Sequence, residues 1–184
     1  RRWQRRPFKY GFQWLTRDVQ FLYSEDWGDL KATATLAPPA LNFNRPTIIG
    51  ASTRKGDEQA LIGAWKTLAA PRPLLVLAPR ALGRVPDIEA LTAGFECSIR
   101  SKGENDSADI LILDTLGELA GLLPLAHVAF IGGTFDPSIG GHSPTEAAGA
   151  GGHIVHGPHT HANPTAWTGL SSTEVQTPSG LPKI

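Results

Sequence analysis

Two glycine-rich turns and one carboxylate lie close together in the sequence, directly after an apolar run at residues 127–131. Gly132 and Gly133 end this run, and the second turn runs from Gly140 to Glu146. Glycines let a ligand approach the backbone closely, and a carboxylate accepts hydrogen bonds from sugar hydroxyls. In an α/β protein, turns of this kind at the carboxyl ends of parallel strands build a phosphate and sugar site.

Candidate site residues follow three other predicted strands. They are Ser52 and Thr53 after residues 47–51, Pro79 and Arg80 after residues 73–78, and Leu116, Gly117 and Glu118 after residues 109–113. Loops that follow parallel strands share one edge of the sheet, so these groups are predicted to converge although they lie far apart in sequence. A nucleotide sugar needs donors for its phosphate and acceptors for its ribose hydroxyls, and these loops carry both.

Strand-like and helix-like segments alternate regularly from residue 47 onward. The predicted strands are 47–51, 73–78, 95–100, 109–113, 127–131 and 153–156, and the predicted helices are 57–68, 86–93, 116–123 and 143–150. This alternation predicts the α/β class, with a Rossmann-like parallel sheet flanked by helices. After residue 156 the periodicity fades, and residues 165–184 are rich in Ser, Thr, Pro and Gly.

Three pieces of the glycine region together resemble one enzyme family. Gly-Gly-His, then Pro-x-Glu, then Gly-Pro-His-Thr at residues 157–160 look like the pattern of the 3-deoxy-D-manno-octulosonic acid (Kdo) transferases of lipid A assembly. Further segments match in the same order: 51–53 with 56–58, 77–80, and 114–119. The resemblance implies the C-terminal half of a glycosyltransferase of the GT-B class. Residues 1–44 would then be the end of the acceptor domain and a linker, and 45–184 the nucleotide-sugar donor-binding domain, shortened at its C-terminus.

The same resemblance assigns contacts with the donor, CMP-Kdo. The residues are Pro79, Arg80, Leu116, Gly117, Glu118, Gly133, His142, Ser143, Pro144, Thr145 and Glu146. Elementary chemistry agrees in outline, because an arginine can clamp phosphate oxygens with its forked donors. Amides that open helices at Gly117 and Ser143 would add partial positive charge, and Glu146 would accept from ribose hydroxyls.

Ordinary structural roles are alternatives for several of these residues. Residues 143–146 also read as a helix capping box, with Pro144 at the first helical position. Arg80 could be a surface arginine, and Glu118 could be favoured only by the helix dipole. Ser52 and Thr53 could cap the following helix as readily as contact a donor.

Four histidines, at positions 153, 156, 159 and 161, raise the question of a metal site. On a strand, His153 and His156 would project to opposite faces. His159 falls inside the Gly-Pro-His-Thr of the family pattern. We therefore expect no metal and no cofactor.

The sequence departs from the family pattern at several positions. Ser143 stands where the family has Asn, Ala147 replaces a Pro, Ala81 and Arg54 each replace a His, and Asn42 replaces a Lys. The lost lysine and histidine donors affect the expected specificity of transfer more than the expected fold.

Composition and charge restrict the class of protein. The chain has 184 residues, zero formal net charge and a single cysteine, which excludes an internal disulfide and fits a reducing cytoplasm. Residues 1–17 are basic and rich in aromatic side chains. Such a segment could contact an anionic membrane surface or nucleic acid, or form a solvated helix face. The segment thus allows peripheral membrane contact through residues 1–17, and we expect no nucleic-acid partner.

The working hypothesis is therefore a donor-binding domain of an inverting Kdo transferase. By resemblance, the whole enzyme moves Kdo from CMP-Kdo to a hydroxyl of a lipid A precursor at the cytoplasmic face of the bacterial inner membrane. The family's catalytic base is a glutamate of the first domain, so we nominate no catalytic residue in this chain, which would bind CMP weakly and transfer nothing alone. Two alternatives remain open: a GT-B transferase or epimerase that uses a UDP-sugar, and a degenerate binding domain without catalysis.

Overall fold

The structure is a computed structural model that describes residues 41, 43–103 and 107–183. The predicted basic, aromatic segment at residues 1–17 lies outside the described residues, and so does most of the predicted linker up to residue 44. The division into two domains at that point stays a prediction. Within the described ranges, no helix combines the length and the apolar character that a bilayer crossing requires.

The described residues form a seven-stranded sheet in which every strand pairs in parallel. The strands are β1 (Thr47–Thr53), β2 (Leu74–Pro79), β3 (Cys97–Ile99), β4 (Ile110–Ile112), β5 (Val128–Ile131), β6 (His153–His156) and β7 (Thr173–Glu174). Their order across the sheet is β3-β4-β2-β1-β5-β6-β7. The predicted α/β class with a parallel sheet is confirmed.

Within the described part of the chain, five α-helices lie between successive strands. They are α1 (Asp57–Lys66), α2 (Val85–Leu91), α3 (Leu119–Leu122), α4 (Thr145–Ala150) and α5 (Pro164–Trp167). Short 3-10 helices lie at Leu82–Arg84, Arg100–Lys102, Leu123–Leu125 and Pro178–Lys183. A crossover helix between parallel strands is the ordinary connection in such a sheet, because a short turn cannot join two parallel strands.

Both faces of the sheet are covered by apolar side chains, as a parallel sheet requires. Alternate residues of the central strands serve the two faces: Ile49 and Val76 belong to one core cluster, and Leu75 and Leu77 belong to the other. Trp65 of α1, 1% exposed, packs against the second face. The packed sheet gives the loops at its carboxyl edge a rigid base.

The predicted elements match the observed ones at most positions, and β6 matches at both ends. The predicted helix 116–123 is wrong in length, because α3 holds only four residues and continues as a 3-10 turn. The segment after residue 163, where no element was expected, contains α5, β7 and the last 3-10 helix. These pieces are two to six residues long, which is too short to produce a periodic pattern.

Candidate functional site

The carboxyl ends of β1, β2 and β5 lie side by side in the centre of the sheet. Thr53 is in register with Pro79 on one side, and Ala51 is in register with Ile131 on the other. The backbone N–H of Arg80 donates to the Thr53 carbonyl at 3.0 Å, and that of Gly132 donates to the Ala51 carbonyl at 2.9 Å. The structure thus brings together the loops that begin at Ser52, Arg80 and Gly132. We call this edge of the sheet the strand-end rim.

Gly132 is required by a close approach of two backbones. A Cβ added there would lie 2.4 Å from the carbonyl oxygen of Ser52 and 2.7 Å from the Cα of Thr53. Real Cβ atoms do not approach backbone so closely, so any side chain would push β5 away from β1. Gly133 has φ +72° and leaves room for Ile139. The two glycines therefore close the rim between β1 and β5.

Ser52 has an uncommon backbone conformation. Its φ is +54°, and it is the only non-glycine residue in residues 41, 43–103 and 107–183 with a positive φ. The register of β1 and β2 shifts between Ala51 and Thr53, so Ser52 sits at a bulge. Bulges and strained residues at strand ends concentrate near functional sites, where they redirect a side chain. Here the bulge places Ser52 in the lining of the cleft described below.

Asp57 joins two loops of the rim. Its Oδ2 accepts the backbone N–H of Arg54 at 2.8 Å and the backbone N–H of Gly133 at 2.8 Å. The residue is 3% exposed, and burial raises the pKa of its carboxyl from 3.8 to about 6, although the two amide hydrogen bonds act in the opposite direction. One carboxylate oxygen thus sets the spacing between the turns after β1 and β5.

Glu58 forms a buried ion pair beneath the same turn. Its carboxylate is 0% exposed and receives both Nη atoms of Arg84, at 2.8 and 2.9 Å. Thr53 Oγ1 donates to it at 2.7 Å. Because Arg84 and Thr53 occupy both of its carboxylate oxygens, Glu58 ties α1 to the end of β1 and the start of α2. It has no oxygen directed to a ligand.

The second glycine turn pairs with the first. The N–H of Gly141 donates to the Gly133 carbonyl at 3.0 Å, and the N–H of His142 donates to the Gly132 carbonyl at 3.2 Å. A Cβ at Gly141 would lie 2.6 Å from the carbonyl oxygen of His159. The turn therefore lies between the loop after β5 and the loop after β6, and it positions His142 at the rim.

His142 is held by Arg54. The Nε of Arg54 donates to His142 Nε2 at 3.0 Å. Since an arginine only donates, this bond requires a neutral imidazole with its proton on Nδ1. Burial lowers the pKa of His142, and the charges of Arg54 and Arg80 lower it further. The imidazole is thus kept neutral and offers one N–H donor at Nδ1.

A narrow cleft opens where these loops meet α4. Its polar lining is Ser52, His142, Ser143 and Glu146, and its apolar lining is Ala51, Leu119, Leu123, Ile131 and Ala147. Glu146 is half-buried and has no hydrogen bond or ion pair with another described residue. Polar groups on an apolar floor are typical of small-molecule sites.

The predicted capping box at residues 143–146 is wrong. Helix α4 begins at Thr145, with Pro144 as its N-cap, and Ser143 Oγ accepts the N–H of Thr145 at 3.3 Å. Pro144 is therefore not the first helical residue. Glu146 consequently faces the cleft without a role in capping, which removes the structural alternative for its carboxylate.

The carboxylate of Glu118, in the loop after β4, is bound by two other side chains of the protein. Arg100 donates to Glu118 through Nε at 3.1 Å and Nη2 at 2.8 Å, Thr115 Oγ1 also donates to it, and these bonds lower its pKa. Leu116 is 82% exposed. The expected helix dipole at Gly117 is weak, because α3 has only four residues. Leu119 of this loop reaches the cleft, and Glu118 is already paired.

Arg80 and Pro79 differ in exposure. Pro79 is buried at the end of β2, whereas the Arg80 side chain is exposed. Within residues 41, 43–103 and 107–183, the Arg80 guanidinium has no carboxylate partner. An arginine without an internal partner, fixed by its backbone to the rim, is available to an anionic ligand.

The C-terminal histidines have structural partners. His156 is buried, with Nδ1 2.7 Å from the Gly157 carbonyl and Nε2 3.1 Å from Ser172 Oγ. His153 Nε2 lies 2.9 Å from Thr173 Oγ1. No group of three metal-ligating side chains occurs in the part of the chain that the structure describes.

Sequence reasoning missed three residues of the rim as site residues. In the sequence, Ser52 fits a helix cap as well as a donor contact, Asp57 stands only within a segment that matches the family, and Arg54 is only a departure from the family pattern. An acidic residue at the start of a helix, such as Asp57, is usually attributed to the favourable interaction of its charge with the helix dipole. The link from Asp57 to Gly133 spans 76 positions, and no local pattern indicates it.

Comparisons with known proteins find similarity to 3-deoxy-D-manno-octulosonic acid transferases. The chain is 39% identical over 126 residues to the 3-deoxy-D-manno-octulosonic acid transferase of Bordetella pertussis. This match covers 63% of this chain and 29% of the relative. The chain is 30% identical over 118 residues to that of Aquifex aeolicus, covering 62% and 32%. No family model matches the chain. The chain thus spans about a third or less of the length of these relatives.

A solved structure has the same fold. It is the C-terminal CMP-Kdo binding domain of WaaA from Acinetobacter baumannii, with a TM-score of 0.60, 25% sequence identity and coverage of 66% of each chain. The fold of the described residues is therefore that of the C-terminal domain of a GT-B glycosyltransferase.

Proposed function

Since the chain is related to the Kdo transferases and matches their C-terminal CMP-Kdo binding domain, we propose that it binds CMP-Kdo at the strand-end rim. The observation that carries this proposal is the meeting of Arg80, His142 and Glu146 with two glycine turns at one edge of the sheet. In open α/β sheets, ligands bind at the carboxyl ends of the strands.

The chemistry of the donor matches the groups at the rim. A nucleotide phosphate needs a cation, and Arg80 has no carboxylate partner among the described residues. Ribose hydroxyls need acceptors, and the unpaired carboxylate of Glu146 lines the cleft. Gly132 and Gly133 carry no side chain, so that a ligand can approach the backbone.

The remaining predicted contacts have unequal support. Five residues stay predicted contacts: Pro79 at the end of β2, Gly133, Ser143 and Pro144 in the loops of the rim, and Thr145 at the start of α4. Glu118 has weaker support, because Arg100 and Thr115 already occupy its carboxylate. A donor contact there would come from the exposed backbone at Leu116 and Gly117.

The activity of the whole enzyme is part of the proposal. We expect the complete protein to transfer Kdo from CMP-Kdo to a lipid A precursor at the cytoplasmic face of the bacterial inner membrane. The described residues bind and orient the donor in this account. The family's catalytic base belongs to the first domain, so no proton transfer is assigned to Arg80, His142 or Glu146.

Isothermal titration of the 184-residue chain with CMP tests the proposal. A hydrogen bond to a charged group contributes about 1.5–3 kcal/mol, so Arg80→Ala and Glu146→Ala should each weaken CMP binding by about tenfold or more. Lys66→Ala and Glu96→Ala are matched controls, because both residues are exposed and lie at the opposite edge of the sheet, where Lys66 ends α1 and Glu96 directly precedes β3. Unchanged affinity in both site variants would contradict the assignment.

A further inference from the structure

Arg54 is the second guanidinium of the rim, and the proposed donor site does not use it. It follows β1 directly, with its backbone N–H on Asp57 and its Nε on His142. Its Cγ lies 3.6 Å from the position that a Cβ on Gly133 would occupy. The side chain therefore crosses the first glycine turn and ends beside the cleft. Its backbone N–H and its Nε fix its position, and neither bond uses the Nη groups.

The two Nη groups of Arg54 have no hydrogen bond or ion pair with any described residue. Arg80 lies close enough to act on the same imidazole, because its charge also lowers the pKa of His142. Two guanidiniums near one neutral imidazole repel each other and raise the local positive potential. Such an arrangement is stabilised when anionic groups bind between or beside the cations.

The acidic groups around Arg54 do not neutralise it. Asp57 directs its Oδ2 to two backbone amides, and Glu58 is paired with Arg84. Glu146 lines the cleft but forms no ion pair with Arg54. The nearby guanidinium of Arg84 takes up the Glu58 carboxylate, so this carboxylate does not pair with Arg54. The Nη donors of Arg54 thus have no acceptor among the described residues.

We propose that Arg54 binds a second anionic group of the donor, distinct from the nucleotide phosphate assigned to Arg80. The inference rests on the proposed function and deepens it, since it selects donors that carry two separate anionic groups. The shared chemistry is an oxyanion next to a cytidylate, which is either the carboxylate of a linked sugar acid or a second phosphate. Both fit the planar, forked donors of a guanidinium.

His142 supports this role. Because its Nε2 accepts from Arg54, its Nδ1 carries a proton and can donate to the ligand. A neutral imidazole adds a donor without a third positive charge. Arg54 would thus bind the anion and also keep His142 in the form that donates. A sugar acid has both a carboxylate and hydroxyls for these two groups.

Titration calorimetry with three ligands tests the proposal. CMP carries one phosphate, CDP adds a second phosphate, and CMP-N-acetylneuraminic acid is a CMP-linked sugar acid. Arg54→Gln removes the charge but keeps an amide that can donate to His142. We expect it to weaken binding of at least one of the two larger ligands by about tenfold or more, and CMP by less than about threefold. Arg54→Lys keeps the charge and should lose less than Arg54→Gln.

The pattern of losses identifies the group that Arg54 binds. A loss confined to the sugar acid assigns the carboxylate, and a loss for CDP assigns the second phosphate. An equal loss for all three ligands, or no loss for any, overturns the inference while wild-type binding of CMP upholds the proposed function. If the wild-type chain binds none of the three, the proposed function fails and this inference fails with it. Should Arg54→Gln unfold, Arg54→Met, which also removes the charge at a similar side-chain length, decides by the same ratios.

Discussion

One carboxylate oxygen of Asp57 accepts the backbone N–H of Gly133 at 2.8 Å, although the two residues lie 76 positions apart. The same oxygen accepts the N–H of Arg54. The turn after β1 and the turn after β5 are therefore tied at one buried point, and the cleft lies directly beside it. The geometry of the proposed donor site depends on this contact.

Removing the Asp57 carboxylate should loosen the rim. In Asp57→Ala, two buried N–H groups lose their acceptor, which costs about 1–3 kcal/mol each. Asp57→Asn keeps a side-chain oxygen that can accept from both amides, so it should retain CMP binding within about threefold, while Asp57→Ala weakens it more. Titration calorimetry measures the difference. Equal affinity in the two variants would contradict the positioning role.

Asp57 also makes stability depend on pH. Its pKa in the folded protein is raised from 3.8 to about 6, so between these values the folded state holds more protons than the unfolded state. Its contribution to the free energy of unfolding therefore falls as pH rises from about 4 to 6. One pKa unit corresponds to about 1.4 kcal/mol, which gives a change on the order of 3 kcal/mol.

Asp57→Asn isolates this effect, because it cannot titrate. Urea unfolding of both proteins at pH 4 and pH 7 should show that the variant gains stability relative to the wild type as pH rises. A difference between the two proteins that stays constant with pH would show that the carboxyl titrates at its ordinary pKa.

Gly132→Ala should be strongly destabilising. The added Cβ would lie 2.4 Å from the Ser52 carbonyl, so the central strands β1 and β5 would have to separate. We expect a loss of about 3 kcal/mol or more, as for overpacking at a rigid core position. Gly149→Ala is the matched control, since its Cβ meets nothing within 4 Å and it lies in α4. It should be neutral or stabilising by up to about 1 kcal/mol. Similar melting temperatures for the two variants would refute the argument.

The buried pair of Glu58 and Arg84 should be costly to break. Removing one partner of a buried pair leaves an uncompensated charge, at about 3–5 kcal/mol. We expect Arg84→Ala to lose stability in this range, because Glu58 is 0% exposed. The pair of Lys102 and Glu89 is a control: their side chains are 67% and 50% exposed, so Lys102→Ala should cost less than about 1 kcal/mol. Chemical unfolding that gives both variants the same stability would contradict this contrast.

The fold was largely predictable because each of the longer strands is an apolar segment bounded by turn residues. Thr47–Thr53 and Leu74–Pro79 were predicted within two residues, since strands buried on both faces leave a continuous apolar pattern. Pro164–Trp167 and Thr173–Glu174 were missed, because elements of four and two residues produce no period.

The site was predictable in its location more than in its contacts. The rule that loops after parallel strands share one edge brought Arg80, Gly133 and Glu146 together correctly. Sequence could not reveal the bond between Arg54 and His142 or the pairing of Glu118 with Arg100, because both depend on side chains far apart in the chain. The ligand contacts themselves stay predictions.

The central claim is that a cytidine nucleotide binds at the strand-end rim. Backbone ¹⁵N chemical shifts of the 184-residue chain, recorded during titration with CMP, test it most directly. The account predicts saturable shifts concentrated at residues 52–54, 80, 132–133 and 141–146, with little change at Lys66 and Glu96 near the opposite edge. Shifts concentrated at that opposite edge, or no saturable shift at the rim, would contradict it.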